Sequence, residues 1–341
     1  MKLGIIGLTR AGKSTLFDAL TKNFSGTEKR GEDRIATIQV PDDRVAALSR
    51  MFKPQKTIYA QVEYFLPGLQ KARAGSPGLW TAVRDCDALL HVVRHHAASG
   101  FEKPTPAEDF RRLDLDLILA DLMVAEKRID RIELDHKRGK KMDIEEHALL
   151  LKCRENLEGE VPLRKRPDLA SAPELRGFAF LSAKPVLVLF NNDDDDDRMP
   201  DIKDLTTSEA CQVVRGRLEQ ELAQMPPAEA AEFLAEFNIP ASAMDRVVRQ
   251  SYQLLDLISF FTVISNEVRA WTLKKGTAAL EAAGAIHSDM QKGFIRAEVV
   301  SFQDLIGTGS YAEAKKQGTV RLEGKDYEVQ DGDIIQFRFN V

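Results

Sequence analysis

An eight-residue stretch near the amino terminus, GLTRAGKS at positions 7–14, constrains the fold of this chain more than any other feature. It follows a short apolar run at 3–6, and its last residue begins the segment STLFDALTK, whose apolar residues recur at helical spacing. A glycine loop between a strand and a helix is the setting that the pattern G-x-x-x-x-G-K-[ST] requires, because the loop N–H groups and the helix dipole then face bound phosphate. The sequence therefore predicts a phosphate-binding loop in an α/β domain.

The residue types in this loop indicate separate roles. Gly7 and Gly12 let backbone N–H groups turn towards the phosphates, and Lys13 is expected to reach the β- and γ-phosphates. Ser14 offers a hydroxyl to Mg²⁺. The backbone around three further residues completes the predicted cradle: Arg10, Ala11 and Thr15. A glycine turn that only starts a helix would leave the adjacent lysine and serine unexplained.

Further apolar runs predict the rest of the sheet. Strands are expected at 35–40, 60–65, 88–93 and 185–190, alternating with helical segments, which predicts a parallel sheet covered on both faces. The formal net charge of -5 excludes a uniformly basic nucleic-acid binder. No apolar stretch reaches the length of a membrane span, so we expect a cytoplasmic protein without membrane contact.

Between the last two of these strands, a long charged helix is followed by a second helix at 144–157. The polar link between them contains Gly139, which predicts an antiparallel helical hairpin inserted in the sheet domain. Its tip is basic, and more basic residues follow the second helix: Lys127, Arg128, Arg131, Lys137, Arg138, Lys140, Lys141, Arg164, Lys165 and Arg166. This charge is consistent either with a nucleic-acid contact or with an exposed, solvated arm.

The period changes again in the carboxy-terminal part. Strands are predicted at 260–263, 267–273 and 294–300, with a short helix at 278–285 and turn signals in the last segment. These elements predict a separate small α+β domain.

Five segments together resemble the YchF/Obg-like ATPase family, in order and almost end to end. They are the glycine loop, ILADLMVAEKRIDR, KPVLVLFNND, EVRAWTLKKGTAALEAAGAIHSDMQKGFIRAEVV and RLEGKDYEVQDGDIIQFRFNV. The resemblance implies a Ras-like P-loop nucleotide-binding domain (1–103 and 181–256), an inserted coiled-coil arm (104–180) and a TGS domain of β-grasp form (257–341). It also implies binding of ATP or GTP and association with ribosomes.

The resemblance extends to the segments that contact the base. Asn191 fits the family's N-x-x-E pattern, and Asp194 takes the place of the glutamate, where an aspartate resembles the residue that binds guanine. Arg215 stands where the family has a serine, so it either covers the base or is an exposed charge. ATP and GTP therefore both remain candidates, and weak discrimination between them is expected.

The segments that should hold the metal depart from the family pattern. Where the family reads DIAGL, this chain reads EYFLPGLQ, so Gly68 and Leu69 align but Phe65 or a deletion replaces the aspartate. Glu63 is the nearest acid, but strand alternation places it at another point along the sheet. The family's metal-binding threonine aligns with Arg30. The magnesium site is therefore expected to be weakened, and no catalytic residue is identified.

These features favour a P-loop protein acting as a nucleotide-dependent switch on a ribosome or RNA partner, with slow ATPase or GTPase activity and a monomeric state. The alternative is a non-hydrolysing adaptor whose arm and TGS domain bind the partner. A small-molecule kinase is disfavoured because the sequence shows no acceptor-binding segment or arginine-bearing lid. The adjacent histidines His95 and His96 are interpreted as an ordinary pair at a strand end, because nothing nearby completes a metal or acid–base site.

Overall fold

A computed structural model describes residues 1–22, 32–68, 77–97, 102–237, 239, 242–264 and 266–340, which form a mixed α/β fold with two sheets. Contacts divide the chain into two units. The first comprises Met1–Thr37 and Glu63–Val247, and the second comprises Ile38–Val62 and Val248–Val341.

The strands are numbered in chain order: β1 (Lys2–Ile6), β2 (Arg34–Gln39), β3 (Lys56–Ile58), β4 (Gln61–Leu66), β5 (Ala88–Arg94), β6 (Val186–Asn191), β7 (Ala210–Val214), β8 (Leu257–Ile264), β9 (Glu267–Lys274), β10 (Phe294–Ser301), β11 (Arg321–Glu323) and β12 (Asp333–Phe339). The helices are α1 (Lys13–Thr21), α2 (Asp43–Phe52), α3 (Pro77–Val83), α4 (Pro106–Lys137), α5 (Ile144–Glu158), α6 (Pro167–Ala170), α7 (Lys203–Ser208), α8 (Gly216–Gln224), α9 (Pro227–Glu236), α10 (Ala243–Leu254), α11 (Ala279–Ile286), α12 (Ser288–Lys292), α13 (Phe302–Thr308) and α14 (Tyr311–Lys316).

The first sheet has the strand order β2-β4-β1-β5-β6-β7. Strand β1 pairs in parallel with β4 and β5, and β6 pairs in parallel with β5 and β7. Every residue of β6 is buried, as expected for a parallel strand with both faces covered. The carboxyl ends of these strands therefore lie along one edge of the sheet, where the glycine loop follows β1.

Helices α4 and α5 pack as an antiparallel pair through buried apolar residues that include Ala125, Ile129, Leu150 and Cys153. At 32 residues, α4 is about 48 Å long at 1.5 Å per residue. The side chain of Asp143 caps α5 by accepting from two backbone N–H groups of its first turn. We refer to α4, α5 and the link between them as the arm.

Buried polar contacts fix the arm at its base. The fully buried carboxylate of Asp121 in α4 accepts from the backbone N–H groups of Leu181 and Ser182 at 2.9 and 2.7 Å. Arg164, which follows α5, makes a bidentate contact with Asp114 of α4 and also donates to Glu209. Its side chain is only 6% exposed, so this arginine holds the base of the arm and does not face solvent.

The second sheet has the order β11-β10-β12-β8-β9-β3. Strands β8 and β9 are antiparallel, as are β10 with β11 and β12, whereas β12 with β8 and β3 with β9 are parallel. One face buries an apolar cluster against α11, with Phe260, Ala282, Val299 and Ile335 at its centre. Strand β3 joins this sheet from the segment 38–62, which the sequence pattern assigns to the first domain. The pattern cannot indicate this because the pairing joins residues far apart in the chain.

Among the described residues, no helix has both the length and the apolar character needed to cross a membrane.

Candidate nucleotide-binding site

The loop between β1 and α1 has a backbone that requires glycine at two positions. Gly12 has a φ of 98°, and a Cβ atom there would lie 2.1 Å from Nδ2 of Asn191. A Cβ atom on Gly7 would lie 2.4 Å from the carbonyl oxygen of Val92 in β5. The loop is thus packed closely against the neighbouring strands, so its N–H groups are held in place at the start of α1.

The amine of Lys13 is held inside this loop. Its Nζ atom donates to the carbonyl oxygens of Gly7 and Leu8, both at 2.8 Å. Burial lowers the pKa of Lys13 to about 8. Burial removes water that would stabilise the charged amine. A bound polyanion would replace this lost electrostatic stabilisation.

A cleft of about 760 Å³ opens above the loop, within the usual size range of small-molecule sites. Seven residues predicted from the sequence line this cleft: Arg10, Gly12, Lys13, Ser14, Thr15, Asn191 and Asp194. Four other predicted residues are not among those lining it: Gly7, Ala11, Gly68 and Arg215. Of these, Gly7 and Ala11 take part through their carbonyl groups, which accept from Lys13 and Asn191.

Asn191, at the end of β6, ties the two sides of the cleft together. Its Nδ2 atom donates to the carbonyl oxygen of Ala11 at 3.0 Å, and its Oδ1 atom accepts from the backbone N–H of Gly216 at 2.9 Å. The side chain is 6% exposed, so both bonds are shielded from water. Asn191 therefore positions the glycine loop relative to the start of α8.

The base-side wall of the cleft contains one carboxylate and one arginine. Oδ1 of Asp194 accepts from the backbone N–H of Leu218 at 3.1 Å in the first turn of α8. Nε of Arg217 lies 3.8 Å from Oδ2 of Asp194, and Arg217 lines the cleft. Arg215 instead donates to the backbone carbonyl of Asp194 at 3.4 Å. The arginine of this segment that lines the cleft is thus Arg217, two residues beyond the one that the sequence pattern indicates.

The comparisons with known proteins agree with this geometry. A Bacillus subtilis (strain 168) protein, Ribosome-binding ATPase YchF, is 38% identical over 363 residues, which cover 99% of each chain. The chain belongs to the YchF family. An Escherichia coli O157:H7 relative of the same name is 37% identical over 100% of this chain and 99% of its own.

Two further comparisons support membership of the YchF family. The family model YchF-GTPase_C, described as "Protein of unknown function (DUF933)", matches residues 257–340. A solved structure of the Schizosaccharomyces pombe YchF GTPase superposes with a TM-score of 0.87 at 26% identity, covering 99% of this chain and 97% of that one. The resemblance read from the sequence is confirmed.

In this member of the YchF family, the end of β4 supplies no carboxylate to the described part of the cleft. Phe65 is 4% exposed and packs in the apolar core, while Glu63 lies 4.0 Å from Lys2. The backbone N–H of Gly68 donates to Asp33 at 2.9 Å. Four parts of the sequence prediction lie wholly or mainly outside the described residues: Thr27, Arg30, Leu69 and the segment KARAGSPG.

The residues that line the cleft are therefore well suited to bind a nucleotide, but they supply only some of the ligands that Mg²⁺ requires. Ser14 lines the cleft beside Lys13. In the described part of the chain, no group of three or more His, Cys, Asp or Glu side chains is arranged to hold a metal ion. A metal bound here would depend on Ser14 and on the phosphates themselves.

Asn192, which aligns with the lysine that packs over the base in guanine-specific relatives, also lines the cleft. Five other cleft residues were not predicted from the sequence: Thr9, His96, Ala97, Asp193 and Arg217. His96 follows β5, and the signal that could have found it is its place after the carboxyl end of a parallel strand. The adjacent His95 is not among the residues that line the cleft, and its Nδ1 atom lies 2.9 Å from Oδ1 of Asn192. The two histidines therefore have different surroundings, although they are neighbours in sequence.

The structure also separates the basic residues of the arm into two groups. Arg128 makes a bidentate contact with Glu146, and Lys140 lies 3.0 Å from Asp135. The described residues provide no ion-pair partner for five others at or near the tip of the arm: Lys127, Arg131, Lys137, Arg138 and Lys141. These five exposed cations remain available to an external anion.

Proposed function

We propose that this chain binds a purine nucleoside triphosphate in the cleft and acts as a nucleotide-dependent switch on a ribosome or RNA partner. The observation that carries the proposal is the half-buried amine of Lys13, held by the Gly7 and Leu8 carbonyls in a glycine loop at the start of α1. The names of the relatives support both parts, because they are ribosome-binding ATPases.

Different residues of the cleft would bind the phosphates and the base. Lys13 and the N–H groups of the loop would neutralise and orient the β- and γ-phosphates. Magnesium, when bound beside Ser14, would neutralise further phosphate charge. Asp194 would accept from donors on the Watson–Crick edge of the base, while Asn191 keeps the two walls at a fixed distance.

The finer architecture follows the same family pattern. We assign 1–103 and 181–256 to a Ras-like P-loop domain, 104–180 to the inserted arm and 257–341 to a TGS domain of β-grasp form. Within the first range, the segment 38–62 groups with the second unit, because β3 pairs with β9. Gly68 would belong to a loop that senses the γ-phosphate. We expect a cytoplasmic monomer that contacts ribosomal RNA through the arm and the TGS domain.

Multiple-turnover phosphate release tests the switch against a non-hydrolysing adaptor. Because the described cleft lacks a carboxylate from β4, hydrolysis by the protein alone should be on the order of 10⁻³ s⁻¹ or slower, like small GTPases without their activators. Ribosomes should raise this rate if the protein is a switch. Turnover that stays at zero with ribosomes would favour the adaptor, and fast magnesium-dependent turnover without them would contradict the weakened metal site.

The choice of base should depend on Asp194. In Asp194→Asn the Oδ1 acceptor for Leu218 N–H is kept, but the charge and one acceptor facing the cleft are lost. Wild-type affinities for ATP and GTP should lie within about tenfold of each other, or 1.4 kcal/mol. The substitution should weaken GTP more than ATP, because only guanine presents paired donors to a carboxylate.

Competition titrations of both nucleotides measure this difference. The matched control is Asp195→Asn, which removes the same charge from an exposed neighbour outside the cleft lining. Equal losses for ATP and GTP in Asp194→Asn, or a several-hundredfold preference in the wild type, would contradict the assignment of Asp194 to the base.

A further inference from the structure

A buried carboxylate lies on the second face of the carboxy-terminal sheet, opposite the face that packs on α11. Glu298 in β10 is 4% exposed, although it projects away from the apolar cluster. It accepts from Nε of Arg338 at 3.0 Å and from the hydroxyl of Tyr311 at 3.1 Å. Nζ of Lys315 lies 3.8 Å away. The guanidinium of Arg338 is therefore held in one orientation, while its side chain remains 55% exposed.

A second arginine lies directly opposite Arg338. Arg296 of β10 is the register partner of Arg338 in β12, so the two side chains lie on the same face of adjacent antiparallel strands. Like charges at directly opposite positions destabilise a sheet. Arg296 is exposed, and within the described residues it has neither an ion pair nor a side-chain hydrogen bond. Among the described residues, Arg338 has a carboxylate partner in Glu298, but Arg296 has none, so part of the repulsion between the two arginines remains.

We infer that Arg296, Arg338, Lys315 and the exposed Gln336, which we call the arginine patch, bind the phosphodiester backbone of RNA. The patch holds three cations, two of which pair with the one carboxylate of Glu298, so together they carry a net charge of about +2 in a chain whose net charge is -5. A phosphate between the two guanidinium groups would accept from both and would relieve their repulsion. This inference rests on the proposed function and names a contact surface for its RNA partner.

The chemistry of the patch favours phosphate over a single carboxylate. A guanidinium presents planar pairs of N–H groups that match the oxygens of phosphate. The Nε and Nη2 atoms of Arg338 donate to Glu298, so its Nη1 edge and the guanidinium of Arg296 are left to share one tetrahedral group. Leu322, 58% exposed, is the register partner of Glu298 on the adjoining strand and so lies on the same face. It offers an apolar surface on which a ribose or base can rest. A backbone contact of this kind carries no sequence information, so binding should be independent of RNA sequence.

The test uses the full chain and a short, fluorescently labelled single-stranded RNA of mixed sequence. Arg296→Gln should lower the salt slope of binding by about 0.7, which is roughly a fivefold loss of affinity at 0.1 M salt. Arg338→Lys keeps the charge but removes the paired N–H groups, and it should give a smaller loss. Lys292→Gln is the matched control, because it removes an exposed cation from α12, which packs on the opposite face.

Two comparisons make the outcomes distinct. If the wild type binds RNA and Arg296→Gln binds as tightly as Lys292→Gln, the arginine patch is not the site, although the proposed function stands. If the wild type binds neither RNA nor ribosomes, the proposed function itself fails. Competition by polyglutamate at the same charge concentration as RNA would assign the patch to an acidic protein and overturn the inference. Unchanged thermal unfolding of the variants excludes loss of the fold as the cause.

Discussion

Lys13→Ala is expected to remove at least about 100-fold of the affinity for ATP and GTP while leaving the fold intact. The amine is the dedicated side-chain charge of the glycine loop, and hydrogen bonds to charged groups contribute roughly 1.5–3 kcal/mol each. Its present partners are carbonyl oxygens of the same loop at the open cleft, where water can take the place of the amine when it is removed. Calorimetric titration measures the loss, and Lys137→Ala, which removes an exposed cation on the arm, is the control.

The pH dependence of binding gives a second readout for the same residue. Below its pKa of about 8 the amine is charged, and above that value it becomes neutral in the free protein. Because a bound triphosphate stabilises the charged form, affinity should be constant below this pKa and fall by up to about tenfold per pH unit above it. Lys13→Ala should lack this decline. Unchanged affinity in Lys13→Ala at neutral pH, with normal unfolding, would show that the loop does not bind phosphate.

Charge reversal at the tip of the arm should strongly weaken ribosome association. Lys137, Arg138 and Lys141 have no ion-pair partner among the described residues, and Lys140 pairs only with the half-buried Asp135. If these four cations each contact a phosphate, replacing all four with glutamate should lower the log–log salt slope by about 2.8 to 3.6, at roughly 0.7–0.9 per lost contact. Co-sedimentation at several salt concentrations measures the slope.

The control variant reverses two charges on the same arm, at the end far from the tip. Arg111 and Arg112 are exposed in the first two turns of α4, so reversing both alters the charge of the arm without touching the tip. Nucleotide affinity should be unchanged in both variants. If the tip substitutions leave ribosome binding unchanged, the tip of the arm does not contact the ribosome. The second sheet would then remain as the proposed contact surface.

The local parts of this structure could be predicted from the sequence because neighbouring residues determine them. The strand, glycine loop and helix at the amino terminus follow from adjacent residues, and α1 begins at Lys13, one residue from the predicted start. The two helices of the arm likewise follow from apolar spacing and from a polar link containing Gly139. Asp193–Asp197 is irregular, as expected for a run of like charges.

The remaining features depend on residues that are distant in sequence. The pairing of β3 with β9, which brings 38–62 to the second unit, has no local signal. Arg164 belongs to a basic cluster in sequence, yet it is buried against Asp114 and Glu209. Whether Arg215 or Arg217 lines the cleft depends on the residue at which α8 begins, because a shift of one residue turns each side chain by about 100° around the helix. Composition and spacing cannot indicate such contacts.

The central claim is that the nucleotide in the cleft controls association with the ribosome. Ribosome co-sedimentation of the wild type at fixed salt, with ADP or with a non-hydrolysable triphosphate analogue, tests it most directly. We predict that the two nucleotides give different bound fractions in the wild type and equal fractions in Lys13→Ala. Equal binding of the wild type with both nucleotides, at concentrations that calorimetry shows to be saturating, would contradict the claim.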